Sequence, residues 1–164
     1  IENLKGIGNE LNNSIYGNSG NNIIDAGAGN DLLFGGAGVD KLTGGKGMDE
    51  FLLGSREANG SLLADQVMDF TTGEDRLMIF RTGAFAADSQ LAQQLKAGVL
   101  GASNFQVVTD DHPEKSTAAF VFDNHSGILY ANDTSKGTLE ALAQIAPDAT
   151  GHIPLLDAKS IELV

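Results

Sequence analysis

Asp31, Asp40 and Asp49 recur nine residues apart, each two places after a glycine, Gly29, Gly38 and Gly47. Written in rows of nine from Gly8, the chain reads GNELNNSIY, GNSGNNIID, AGAGNDLLF, GGAGVDKLT and GGKGMDEFL without an insertion. The sixth column holds Asn13, Asn22, Asp31, Asp40 and Asp49, and the eighth holds Ile15, Ile24, Leu33, Leu42 and Phe51. A fixed column of carboxylates in turns that expose backbone carbonyls is oxygen chemistry. It suits a hard cation such as calcium, which takes roughly six to eight oxygen ligands at about 2.3–2.6 Å.

The spacing also dictates the elements that position these groups. Six residues of each row form a turn and three form a short strand, so two rows complete one coil and a row stacks on the row two further on. The eighth column points inward and is buried between coils, while its neighbours point out. Glycine is required because the turn backbone enters positive φ and passes close to the next coil. Asp31 and Asp49 therefore face each other across one coil, and Asn22 and Asp40 do so on the opposite side. Gly-Asn and Gly-Asp also form ordinary turns, but turn chemistry alone requires no fixed acidic column.

Composition narrows the function classes. The 164 residues carry a formal charge of −12, 21 glycines and no cysteine. Such a surface disfavours nucleic acid and anionic membranes as partners, and disulfides and thiolate metal sites are excluded together. No apolar run approaches the roughly 18 residues of a spanning helix, and no signal peptide opens the sequence, so stable membrane insertion is not expected.

The rows GGAGVDKLT and GGKGMDEFL closely resemble the nonapeptide of the repeats-in-toxin (RTX) family of Gram-negative bacteria. The resemblance implies calcium held by carbonyls of columns two and four and the column-six aspartate of one turn. Carbonyls of columns one and three and the column-six aspartate two rows later complete the shell. Carried over, a first site uses Gly27, Gly29 and Asp31 with Gly44, Lys46 and Asp49. A second uses Asn18, Gly20 and Asn22 with Gly35, Ala37 and Asp40, where Asn22 departs from the pattern. A third begins with Gly36, Gly38 and Asp40. The segment DQVMDFTTGEDRLMIF, residues 65–80, is similar to the one with which the family closes its last site, so Asp65 or Asp69 completes the third. The alternative is that Asp65, Asp69 and Asp75 flank a hairpin turn at Thr72–Gly73; Asp75 is not assigned as a ligand.

Two and a half coils expose unpaired backbone at both ends and need a cap. Residues 105–109, 118–123 and 127–131 read as strands, the last two joined by the turn NHSG. Residues 88–98 read as a helix capped by Asp88 or Ser89 and stopped by Gly98. The expected fold is all-β: a right-handed parallel β-roll over 1–53, then an antiparallel β capping region with one short helix over 54–164. GASNFQVV, FVFDNHSGILYAND and LAQIA resemble the region that follows the repeats in many family members. The final SIELV resembles the acidic-then-apolar ends of type I secretion substrates, which makes Val164 the expected natural carboxyl terminus.

His112, His125 and His152 are isolated, and neither H-E-x-x-H nor G-x-S-x-G occurs, so no catalysis is expected. The expected function is a secreted calcium-binding module of a larger protein. It stays unfolded during export through the ABC transporter of a type I system, which reads its C-terminal end, and folds on extracellular calcium. The competing expectation is a calcium-stabilised adhesion module that binds carbohydrate or a surface through Asp110, Asp111, Tyr130 and Asn132. Oligomeric state is not legible.

Overall fold

Apolar residues spaced nine apart have to stack if they are to leave water, and that requirement generates both sheets. The computed structural model describes residues 2–54, 64–80, 98–99, 101, 104–109, 112–133 and 138–164. In the first sheet, β1 (Lys5–Asn9), β3 (Ile23–Gly27), β5 (Lys41–Thr43) and β7 (Asp65–Val67) run parallel. In the second, β2 (Ser14–Tyr16), β4 (Leu32–Phe34), β6 (Glu50–Leu53) and β8 (Arg76–Ile79) do the same. Successive strands alternate between the sheets, as a roll of 18-residue coils requires.

Register carries the eighth column straight up each sheet. Ile24 pairs with Leu42 and Leu42 with Val67, while Ile15 pairs with Leu33, Leu33 with Phe51 and Phe51 with Leu77. Ile24, Leu33, Leu42, Phe51, Val67 and Leu77 are buried in one core, with Ile15 packed partly buried against it. Their strand neighbours Ile23 and Tyr16 face solvent, as alternation along a strand demands.

The remainder of the chain extends these sheets. β13 (Thr138–Ile145) adds parallel to β7, followed by β12 (Ile128–Asp133), β11 (Phe120–Asp123) and β10 (Phe105–Val108). β13, β12 and β11 are antiparallel neighbours, whereas β10 lies parallel to β11. In the second sheet β14 (Ile161–Leu163) adds parallel to β8, and β9 (Gly98–Val99) pairs antiparallel with β14. The capping region is thus antiparallel across β11, β12 and β13 and between β9 and β14, and joins the roll through two parallel pairings. The helix expected over 88–98 lies outside the described residues except for Gly98, which begins β9. No described helix is long and apolar enough to cross a membrane.

The alternative hairpin at Thr72–Gly73 does not form, because β7 and β8 belong to different sheets and pair with the coils beneath them. The connection is one more turn of the roll. It repeats the phrase of an aspartate two residues before an inward apolar residue, Asp65-x-Val67 and then Asp75-x-Leu77.

Phe51 is fully buried, with its ring centroid 6.4 Å from that of Phe70 and its backbone in register between Leu33 and Leu77. Phe51→Ala should lower the unfolding free energy of the calcium-loaded protein by about 3–5 kcal/mol, read from denaturant melts at saturating calcium. A loss under about 1 kcal/mol would show that the eighth column is not the core.

Candidate metal centre

The sixth-column side chains stack into two ladders. In the first, the Leu4 N–H donates to Asn22 Oδ1 (3.0 Å), the Asn22 N–H to Asp40 Oδ1 (2.6 Å) and the Asp40 N–H to Asp65 Oδ1 (3.0 Å). In the second, the Asn13 N–H donates to Asp31 Oδ1 (2.6 Å), the Asp31 N–H to Asp49 Oδ1 (2.9 Å) and the Asp49 N–H to Asp75 Oδ1 (2.9 Å). Asn13, Asp31, Asp49 and Asp75 line one groove along that flank. Each carboxylate thereby satisfies a backbone donor of the coil below, which leaves its second oxygen for other work.

The turns pack so closely that only glycine fits. Gly45 and Gly47 have φ of 103° and 132°, and a Cβ on either would collide with the carbonyl oxygen of Gly27 or Gly29. A Cβ on Gly44 would collide with Asp49 Oδ2. The Gly27 carbonyl also accepts the Lys46 N–H (3.0 Å) and the Lys46 carbonyl the Gly29 N–H (2.8 Å). A carbonyl carries two lone pairs, so both retain capacity for a second partner.

Asp31 and Asp49 are each only 1% exposed, and their Oδ2 atoms are buried without a hydrogen-bond partner. A buried carboxylate oxygen with no donor is costly. The row before shows what surrounds it. Asn22 Nδ2 lies 2.6 Å from Gly20 O, 2.8 Å from Asp40 Oδ1, 3.0 Å from Gly35 O and 3.4 Å from Asn18 O. Carried one row on by the nine-residue repeat, the matching oxygens are those of Gly29, Asp49, Gly44 and Gly27, with Asp31 Oδ2 in the place of the amide nitrogen. The set consists of oxygens alone, two of them carboxylate, and it fits a calcium ion. Among the described residues no group of three or more His, Asp and Glu side chains is placed to hold a metal, so carbonyls must supply most of such a shell.

The first-site residues Gly27, Gly29, Asp31, Gly44, Lys46 and Asp49 are thus brought together. In the second set Ala37 is not among the acceptors around Asn22 Nδ2. In the third, Asp65 stacks on Asp40 as a column-six residue, whereas Asp69 leaves the ladder and accepts from the Gly44 and Gly45 N–H groups (2.9 and 2.7 Å). The row that would supply further carbonyls there, residues 55–63, lies outside the described residues. Asp75 was passed over by sequence reasoning, yet it occupies the ladder above Asp49; its Oδ2 accepts the Thr71 N–H (2.7 Å). The signal was present in Asp75-x-Leu77, displaced from its 18-residue beat by the longer connection after residue 53.

Crowding raises the proton affinity of these groups. Burial, followed by the charges of Asp75, Asp31 and Asp69, pushes Asp49 up to about 6. Burial, with Asp40 nearby, pushes Asp65 up to about 8. Asp69 and Asp75 are raised mainly by burial as well.

The profile of the RTX calcium-binding nonapeptide repeat (4 copies) matches residues 7–42 and 16–51. Residues 7–51 are RTX calcium-binding repeats. The chain is also similar to the solution structure of the AlgE6R2 subunit from the Azotobacter vinelandii mannuronan C5-epimerase. The identity is 21%, the alignment covers 95% of this chain and 90% of that one, and the TM-score is 0.45. No curated protein matches the chain.

Outside the RTX block, polar residues singled out by sequence serve the capping sheet. Asn132 is buried and donates through Nδ2 to Ser116 O (2.9 Å) and Ala118 O (3.1 Å). Asp123 accepts from the His125 N–H (2.9 Å) and the Ser126 hydroxyl (2.7 Å) to build the hairpin turn. His112 contacts Glu114 (3.1 Å) and His152 contacts Thr150 (2.7 Å), both exposed. Tyr130 lies in β12, and Asp110 and Asp111 fall outside the described residues.

Raised carboxylate values set the direction of the pH dependence. Asp49 and Asp65 lie above their ordinary value of 3.8, so the metal-free fold holds protons more tightly than the unfolded chain. That stability is complete below the unfolded value and is lost as the pH rises through about 6 and then about 8. Calcium must displace those protons. Titration calorimetry at pH 6.5 in buffers of different ionisation enthalpy should therefore show proton release on calcium binding, with affinity weakening toward pH 5. A buffer-independent heat would contradict this account.

Proposed function

We propose that calcium bound by Gly27, Gly29, Asp31, Gly44, Lys46 and Asp49 folds this module, and that the module serves a larger secreted protein as a calcium-triggered folding and export unit. The observation that carries the reading is the pair of buried Oδ2 atoms of Asp31 and Asp49, which lack any donor in a turn walled by carbonyls. A divalent cation supplies the positive charge they need. The chain's own residues do the rest: glycine turns bring the carbonyls within reach, and Oδ1 of each aspartate fixes its carboxylate on the coil below.

Without metal, close-set carboxylates repel and the glycine turns carry a large conformational entropy cost, so the repeats stay open at cytosolic calcium. Outside the cell, where modules of this kind bind at roughly 10⁻⁴–10⁻³ M, they close. The C-terminal residues support the same order of events. Ile161 and Leu163 are buried in the core and pair with Leu77 and Ile79, so a transporter can read this end only before folding. The module acts as a fold and a passport, with no catalysis of its own.

Far-ultraviolet circular dichroism during a calcium titration, with magnesium as control, tests the reading. Calcium alone should produce a cooperative gain of β signal. Asp49→Ala should move the calcium midpoint up by on the order of tenfold, equivalent to about 1.4 kcal/mol. An unchanged midpoint would remove the Asp31/Asp49 site, and a spectrum already complete in chelator would remove calcium-driven folding.

A further inference from the structure

We infer that the oxygen cage between Asn22 and Asp40 takes no metal, because the side-chain amide of Asn22 occupies the ion's place and closes that half-coil without calcium. The inference rests on the reading of the Asp31/Asp49 set as a cation site, since it compares the two cages one row apart.

The orientation of the amide is fixed by its neighbours. The Leu4 N–H donates to Oδ1 at 3.0 Å, so the acceptor end of the amide must face that donor. The other end meets Gly20 O, Asp40 Oδ1, Gly35 O and Asn18 O, all acceptors. Reversing the group would set an N–H₂ against an N–H and an oxygen among four oxygens. Two hydrogens reach the two nearest acceptors, at 2.6 and 2.8 Å, and share the other two at 3.0 and 3.4 Å. Asn22 is 1% exposed, and even the column-one glycine gives room to it: a Cβ on Gly17 would lie 2.8 Å from Nδ2.

The carried-over second site therefore does not fit an ion. The four oxygens around Nδ2, those of Asn18, Gly20 and Gly35 and Asp40 Oδ1, share its two hydrogens, and the cage contains one carboxylate, that of Asp40, where the next contains two. An asparagine in the sixth column is not sufficient for this. Asn13, one row earlier, lies in an exposed turn where its Oδ1 accepts the Asn9 N–H (2.9 Å) and its Nδ2 approaches only Asn9 Oδ1 (3.4 Å). Both asparagines carry a row above them; Asn22 differs because the coil below gives its Oδ1 the Leu4 N–H, which turns Nδ2 toward Gly35 and Asp40, whereas Asn13 Oδ1 turns to the Asn9 N–H.

Two measurements on the full chain test this. Native mass spectrometry should count one more calcium ion on Asn22→Asp than on the wild-type chain, and the variant should lose residual β signal in chelator. In the calcium-loaded wild type, the side-chain ¹⁵N–H₂ of Asn22 should exchange with solvent at least tenfold more slowly than that of exposed Asn30. Equal stoichiometry in the two proteins, or an Asn22 amide that exchanges as fast as Asn30, would overturn the inference. A wild-type chain that binds no calcium while its Asn22 amide stays protected would instead sink the Asp31/Asp49 reading and leave the amide closure standing. If Asn22→Asp fails to fold even in calcium, the exchange measurement decides alone.

Discussion

The rest of the molecule depends on the division of labour within each sixth-column carboxylate. One oxygen accepts the backbone N–H of the residue one coil below, and in Asp31 and Asp49 the other is buried without a donor. The first interaction fixes the rise of the roll. The second leaves a charge problem that side chains of this protein do not solve, because the turns hold glycine where a lysine or arginine would need space. Glycine content and acidity are therefore one requirement: carbonyls come close enough to form a shell only if Cβ atoms are absent, and the shell is stable only with a cation inside it.

Stacked coils on their own would end in open strand edges above and below. The chain answers at one end by continuing the same stack with residues no longer spaced at nine. Val67 and Leu77 take eighth-column places, Asp65 and Asp75 take sixth-column places, and β13 and β14 then pair parallel on β7 and β8. Phe120, Phe122, Leu142, Ile161 and Leu163 join the core cluster that holds Leu33, Leu42 and Phe51. The roll and its cap share one interior, so order in the turns and order at the carboxyl end are energetically linked.

The repeat was legible because it depends on local rules. Column eight named the core, column four named the tight turns, and the 18-residue offset named the facing pairs, all of which the registers reproduce. Legibility faded where the beat broke. Asp75 was hidden because the connection after residue 53 displaces it from its partner Asp49 to a separation of 26. The parallel joins of β13 and β14 were hidden because an eight-residue or three-residue strand carries no mark of which distant neighbour it will meet. Asn22 was legible as a departure from aspartate, but its meaning lay in which way its amide points, and that is set by the Leu4 N–H of the coil below.

The two cages then differ in what they ask of the solvent. Around Asn22 the protein provides its own donor, which reaches one carboxylate and three carbonyls of the chain itself. Around Asp31 and Asp49 it provides only acceptors, and burial with like charges nearby lifts Asp49 to about 6, so closure waits for a proton or a metal. On the proposed reading, one amide in place of one carboxylate separates a coil that can template the stack from coils that close on calcium. The strand at the carboxyl end lies on β8, which lies on the row of Asp49 and Phe51, so on that reading it orders together with the calcium-dependent side.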